Sequence, residues 1–258
     1  MSGAHKLSPS QWEALAGPLR LCSAAEVAHS LPAAQWLDEA LCAERLDALS
    51  PVIGSPTRRI TASLLGKRLS FLMTGACLYA MSAYDRGLAL TLDNALVDAR
   101  HDGKVWISSL PLRDLGTSTP EPGQREAWRR GLATTLFAGL LQPLWEVFYQ
   151  VSGVPRRILW ENTAVRVYSL YERRLAKHES PEVRERARAD LHWLLADASN
   201  EVFGLAYNPL AHFDRPPTPI PGSDRSVRVR RTCCFYYRAS DPVEYCSTCP
   251  LICPRPSQ

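Results

Sequence analysis

Residues 230–253 read RRTCCFYYRASDPVEYCSTCPLIC, and the rest of the chain is best read outward from this stretch. Five of the eight cysteines of the 258-residue sequence fall in it: Cys233, Cys234, Cys246, Cys249 and Cys253. That density at one end of a chain calls for a chemical cause. Soft thiolates select zinc, copper(I) or iron–sulfur centres, and four sulfurs in a tetrahedron favour zinc or iron–sulfur. Cys246-x2-Cys249 forms a short chelate loop. Cys233 and Cys234 are adjacent, and neighbours on an extended strand point to opposite faces. They are therefore expected to sit in a turn if both sulfurs are to meet one centre. Structural zinc sites usually space paired ligands by two to four residues, so adjacency favours iron–sulfur over zinc.

Disulfides are the competing explanation, since cysteine-dense segments suit oxidising compartments. The chain opens Met1-Ser2-Gly3-Ala4-His5-Lys6 without an apolar stretch behind it, which reads as no secretory signal and a cytoplasmic protein. In that setting the pattern points to metal before disulfides. Cys253 gives C-x2-C-x3-C-P, part of a bacterial ferredoxin run; it reads as a spare thiol, with replacement of Cys246 or Cys249 as the other option.

The string RRTCC, a spacer, and a terminal C-x2-C resemble the C-terminus of FhuF-type ferric-siderophore reductases. Ile158-Leu159-Trp160-Glu161-Asn162-Thr163 resembles the same family's L-I-W-x-N-T segment. The likeness extends loosely from about residue 60 to 249. The spacer here, Phe235 to Tyr245, is one residue longer than the family pattern, an insertion easily absorbed near Ala239-Ser240-Asp241-Pro242. The resemblance implies a 2Fe–2S cluster on Cys233, Cys234, Cys246 and Cys249. It further implies one-electron reduction of siderophore-bound iron(III), with a hydroxamate-type chelate as substrate. A zinc-stapled protein that binds a siderophore or a partner without redox activity is the alternative.

Upstream, the pattern is that of an α+β protein, with a mainly helical body and a small antiparallel sheet. Residues 1–56 form an N-terminal helical segment broken by Pro and Gly, with Trp36, Leu37, Leu41 and Leu46 on one face. Residues 57–215 form the body, the expected siderophore-binding part. A helix is expected from Thr57 to Tyr84, with Leu64, Leu65, Leu69, Leu72, Met73 and Ala76 inward. Leu88, Leu90 and Leu92 then alternate as a strand, and Asp102-Gly103 turns into a returning strand at Val105-Trp106-Ile107. A helix over 125–151 should kink or split at Pro143. Asn162 is expected to cap a helix through Lys177, and Ser180-Pro181-Glu182 to start another ending near Asn200. The charges from Glu182 to Arg188 read as a solvated face. Residues 216–222 are a Pro-rich linker, and 223–258 the iron–sulfur segment.

The remaining signals are mostly exclusions. No two glycines are two residues apart, so a G-x-G-x-x-G nucleotide loop is absent, and so is G-x-S-x-G. Electrons for a redox centre are then expected from another protein, a ferredoxin or a flavoprotein. A net charge of +4 without a basic run does not suggest nucleic acid. The apolar stretch from Leu69 to Ala83 is too short to span a membrane. The six histidines show no paired spacing, and Cys22, Cys42 and Cys77 sit in apolar faces as packing residues. Arg230, Arg231 and Arg238 would stabilise an extra electron on a cluster, or merely keep the tail soluble; Thr232 and Thr248 are candidate donors to sulfur. Trp160 and Asn162 would line a substrate cleft or, more plainly, Trp160 packs in the core and Asn162 caps its helix.

Overall fold

In the computed structural model, residues 6–219 and 226–252 are described. From the N-terminus the chain forms α1 (Pro9–Ala16), α2 (Glu39–Val52) and α3 (Arg58–Tyr84). Thr57 caps α3 by accepting from the Ile60 amide, and Asp85 ends it in a left-handed conformation. These are the boundaries that the sequence suggests. Nearly every side of α3 is buried, with Leu65, Leu69, Leu72, Met73 and Ala76 all but sealed from solvent, so it is the axis around which the other elements pack. The following helices are α4 (Arg125–Leu136), α5 (Gln142–Ser152), α6 (Arg156–Ser169), α7 (Pro181–His192) and α8 (Pro209–Phe213). Among the described residues no helix is long and apolar enough to cross a membrane.

α6 lies lengthwise on α3. Small residues permit the close approach: a Cβ at Gly66 would stand 2.7 Å from the Leu159 side chain. Ser70 sits one turn later and shares a hydrogen bond with Thr163 (3.1 Å), which also takes the Trp145 indole N–H (3.2 Å). Polar groups buried between two helices must find each other, and these do. The expected kink or split at Pro143 takes the form of a widened turn without a gap: Phe137–Leu141 is a π-turn, the Gln142 amide reaches back to the Phe137 carbonyl, and α5 follows directly with Pro143 as its second residue.

Three expectations are corrected. Asn162 does not cap a helix, because α6 starts at Arg156 and places Asn162, fully buried, in its middle. The alternating leucines also find different partners. β1 (Leu21–Ser23) pairs in parallel with β5 (Leu110–Leu112), β2 (Leu31–Pro32) with β4 (Leu96–Val97), and β3 (Gly87–Leu88) with β6 (Thr117–Ser118), the last two antiparallel. The Asp102-Gly103 turn exists, closed by a bridge between His101 and Trp106, but Val105 and Ile107 are exposed and do not return along Leu88–Leu92. The charged face of α7 is also not wholly solvated. Arg186 donates to the Ser82 and Ala83 carbonyls at the end of α3 and pairs with Asp85.

β7 (Thr218–Pro219) pairs antiparallel with β8 (Ser226–Val227), which brings the tail back over the body. Arg228 fastens it there, pairing with Glu172 and Asp214 and lying 4.4 Å over the Tyr168 ring.

Candidate metal centre

α3 and α6 together grip the cysteine tail. Glu161 accepts from the backbone amides of Arg231 (2.5 Å) and Thr232 (2.8 Å) and from the Thr232 hydroxyl. Its neighbour Asn162 works in both directions, donating to the Ser63 carbonyl (3.0 Å) and accepting from Arg230 (2.6 Å). The Ser63 hydroxyl in turn donates to the Cys234 carbonyl (2.9 Å). Arg230 then ties the two cysteine-bearing arms together, its amide donating to the Thr248 carbonyl (3.0 Å). The Cys249 amide donates to the Cys246 carbonyl (3.0 Å), closing the C-x2-C turn.

The sulfurs meet across the two arms. Cys234 Sγ lies 3.9 Å from Cys246 Sγ, and Cys249 is the cysteine of the other arm near enough to Cys233 to influence its thiol, as is the adjacent Cys234. A tetrahedral metal with metal–sulfur bonds of about 2.3 Å holds its sulfurs about 3.8 Å apart, so the Cys234–Cys246 pair has the span of two ligands on one metal. Adjacency of Cys233 and Cys234 therefore needs no convergence, since each faces a different partner. Among the described residues no three such side chains close on a single point. Four thiols drawn from two arms are the donor set that a 2Fe–2S centre takes. All seven described cysteines are free thiols, so disulfides do not explain the tail. Cys253 lies outside the described residues.

Comparison with protein families decides the matter. Residues 63–213 match the family described as "Ferric iron reductase FhuF-like transporter", and residues 230–251 match the "FhuF 2Fe-2S C-terminal domain". The chain belongs to the FhuF-like ferric iron reductase family. A comparison with curated proteins gives no match. The FhuF 2Fe–2S domain coincides with the arm-and-pair geometry just described, and the zinc-stapled alternative gives way to a 2Fe–2S cluster.

The FhuF-like body also sets the charge around these sulfurs. The Lys67 ammonium lies 3.7 Å from Cys234 Sγ and 5.2 Å over the Tyr236 ring. The hydrogen bond from Cys246 drives the Cys234 thiol well below its usual range, against burial, with Lys67 and Arg230 helping; Cys246 is driven up by the same bond. One proton of the pair is thus easily lost, as metal loading requires. The Phe235 amide, turned by a left-handed backbone at that residue, donates to Cys233 Sγ (3.3 Å). That main-chain N–H is a donor to Cys233, whereas the Thr232 hydroxyl is spent on Glu161.

Of the arginines singled out in the sequence, Arg230 is buried and paired with Glu161 at 3.7 Å. Arg231 is exposed beside Cys233, and Arg238 lies against Tyr237. Trp160 is a core residue. Asn162, buried at the centre of the grip, bonds Arg230 and the Ser63 carbonyl. Sequence reasoning missed Ser63, Lys67, Glu161 and Arg166. Glu161 alone had a signal, standing inside the L-W-E-N-T string.

Proposed function

We propose that this FhuF-like protein reduces siderophore-bound iron(III) to iron(II) in the cytoplasm, with the 2Fe–2S cluster held by Cys233, Cys234, Cys246 and Cys249. The observation that carries the proposal is the 3.9 Å pairing of Cys234 with Cys246 under the Lys67 ammonium. When bound, the cluster supplies single electrons. The chain's own residues do the rest. Glu161 and Asn162 fix the arms, and Lys67, Arg166 and Arg230 lower the cost of extra negative charge beside Cys234 and Cys246. Hard oxygen donors hold iron(III) far more tightly than iron(II), so one added electron loosens the chelate without any acid or base in that step.

The donor is read as an acidic ferredoxin or flavoprotein. Arg59, Arg157 and Arg231, all exposed, ring the opening onto Cys233. Long solvated arginines suit a protein surface that docks and leaves.

The test is anaerobic reconstitution. Two irons per chain, a reduced-state electron paramagnetic resonance signal, and capture of iron(II) from a ferric siderophore by a ferrous-specific dye are expected. A loaded, reducible protein that releases no iron(II) from any ferric chelate would refute the reading.

A further inference from the structure

A cleft of about 440 Å³ opens beside the cysteine pair, within the size range of small-molecule sites. Four cations line it: Lys67 and Arg68 from α3, Lys104 from the Asp102-Gly103 turn, and Arg166 from α6. Two carboxylates, Asp241 and Glu244, line it as well, so positive charge prevails. His101 also lines the cleft, but burial holds its pKa below the usual value and it adds no charge at neutral pH.

The cations are held in place yet left without counter-charges. None of the four forms an ion pair among the described residues. Arg68 donates only to Ser108, to its hydroxyl at 2.8 Å and its carbonyl at 2.5 Å. Arg166 is the extreme case: its Nε is sealed from solvent without a hydrogen-bond partner, and its guanidinium sits 5.7 Å from the Phe71 ring. A half-buried guanidinium beside other cations gains from an anion that arrives to meet it. The sulfurs of Cys234 and Cys246 answer that charge on one side only. Arg166 also lines the cleft.

Resting on the reductase reading, we propose that this cleft takes ferric chelates that carry free carboxylates and a net negative charge. Guanidinium forks match carboxylates in geometry as well as charge. Lys67 and Arg166 have a second use here. Both line the cleft and both neighbour Cys234, so they stand between an anionic ligand and an anionic cluster that would otherwise repel each other. Hydroxamate chelators qualify when they also bear carboxylates. Uncharged ferric trishydroxamates leave the cations unanswered.

The test uses oxidised holoprotein and redox-inert gallium(III) complexes, which copy the ferric chelates without accepting an electron. Calorimetric titration compares a carboxylate-bearing anionic complex with a neutral trishydroxamate complex of similar size. The anionic complex is expected to bind at least tenfold tighter. Arg166→Gln and Lys104→Gln should each reduce that preference severalfold, and raising salt should weaken only the anionic complex. Lys104 is exposed and away from the cysteines, so its variant reports on the cleft even if Arg166→Gln fails to load iron. Equal binding of the two complexes, binding of neither, or a preference untouched by Lys104→Gln would overturn the proposal. Turnover keeps it apart from the reductase reading. Iron(II) release from both ferric chelates with equal KM, and with the KM of the anionic chelate unchanged in Lys104→Gln, sinks the anion proposal and leaves the reductase standing, whereas no release from either ferric chelate sinks both.

Discussion

Glu161 holds Thr232 twice, through the backbone amide at 2.8 Å and through the hydroxyl, while the same carboxylate takes the Arg231 amide. A buried carboxylate that satisfies two main-chain donors next to a cysteine pair fixes where those cysteines point. Replacing it strands the amides and leaves Arg230 buried without its partner, a loss of about 3–5 kcal/mol. Glu161→Ala is expected to lose most of its iron and to unfold at lower denaturant, with helical circular dichroism retained. Iron content and a urea melt on the same sample check this. Full iron loading in Glu161→Ala would contradict the role.

The two sets of cysteines should separate chemically. Burial pushes the thiols of Cys42 and Cys77 up to about 12 and that of Cys22 up to about 11, so none of them ionises appreciably near neutral pH. In metal-free protein, iodoacetamide at pH 7.5 should label Cys234, the tail thiol driven down, ahead of these three, as peptide mapping would show. Cys234→Ser and Cys246→Ser should abolish the iron–sulfur absorption, while Cys77→Ala should keep it at some cost in stability.

How far the sequence could be read follows from range. The cysteine spacing is local, and so are the caps Thr57 and Asp85, which is why the tail and the limits of α3 stood out. Strand pairing is not local. The strands here are two or three residues long, and β1 finds β5 across almost ninety residues, so an alternating run such as Leu88–Leu92 names a strand without naming its partner. The grip on the tail hides for the same reason: Asn162 looks like a cap until α3 supplies the Ser63 carbonyl and the tail supplies Arg230. Lys67 and Arg166 are two among thirty basic residues, and only packing of α6 on α3 sets them beside Cys234.

Acid should attack the fold at Asp190. This fully buried carboxylate meets Arg125 twice at 2.8 Å, Arg129 at 2.9 Å and the Ser82 hydroxyl at 2.8 Å. Burial pushes its pKa up, but the arginines outweigh burial and the net shift is downward. A depressed folded pKa means that stability is fully present above the unfolded value near 3.9 and is lost as pH falls through the folded one. Urea midpoints should therefore fall steeply below about pH 4. Asp190→Asn should cost about 3 kcal/mol at pH 7 and flatten that slope. An unchanged slope in the variant would place the acid sensitivity elsewhere.

Electron delivery gives the last prediction. Arg59, Arg157 and Arg231 surround the opening at Cys233, and none has a carboxylate partner among the described residues. Long-range attraction between this ring and an acidic donor raises the encounter rate and is screened beyond about 8–10 Å at physiological salt. Stopped-flow reduction by an acidic ferredoxin should slow about tenfold or more between low salt and 0.3 M salt. The Arg157→Gln/Arg231→Gln double variant should be slow at low salt already and largely insensitive to added salt. Reduction by viologen radical cation, which the ring does not attract, should not slow in the variant. A wild-type rate independent of salt would remove the docking role from these arginines and leave the cleft beside Lys67 and Arg166 unaffected.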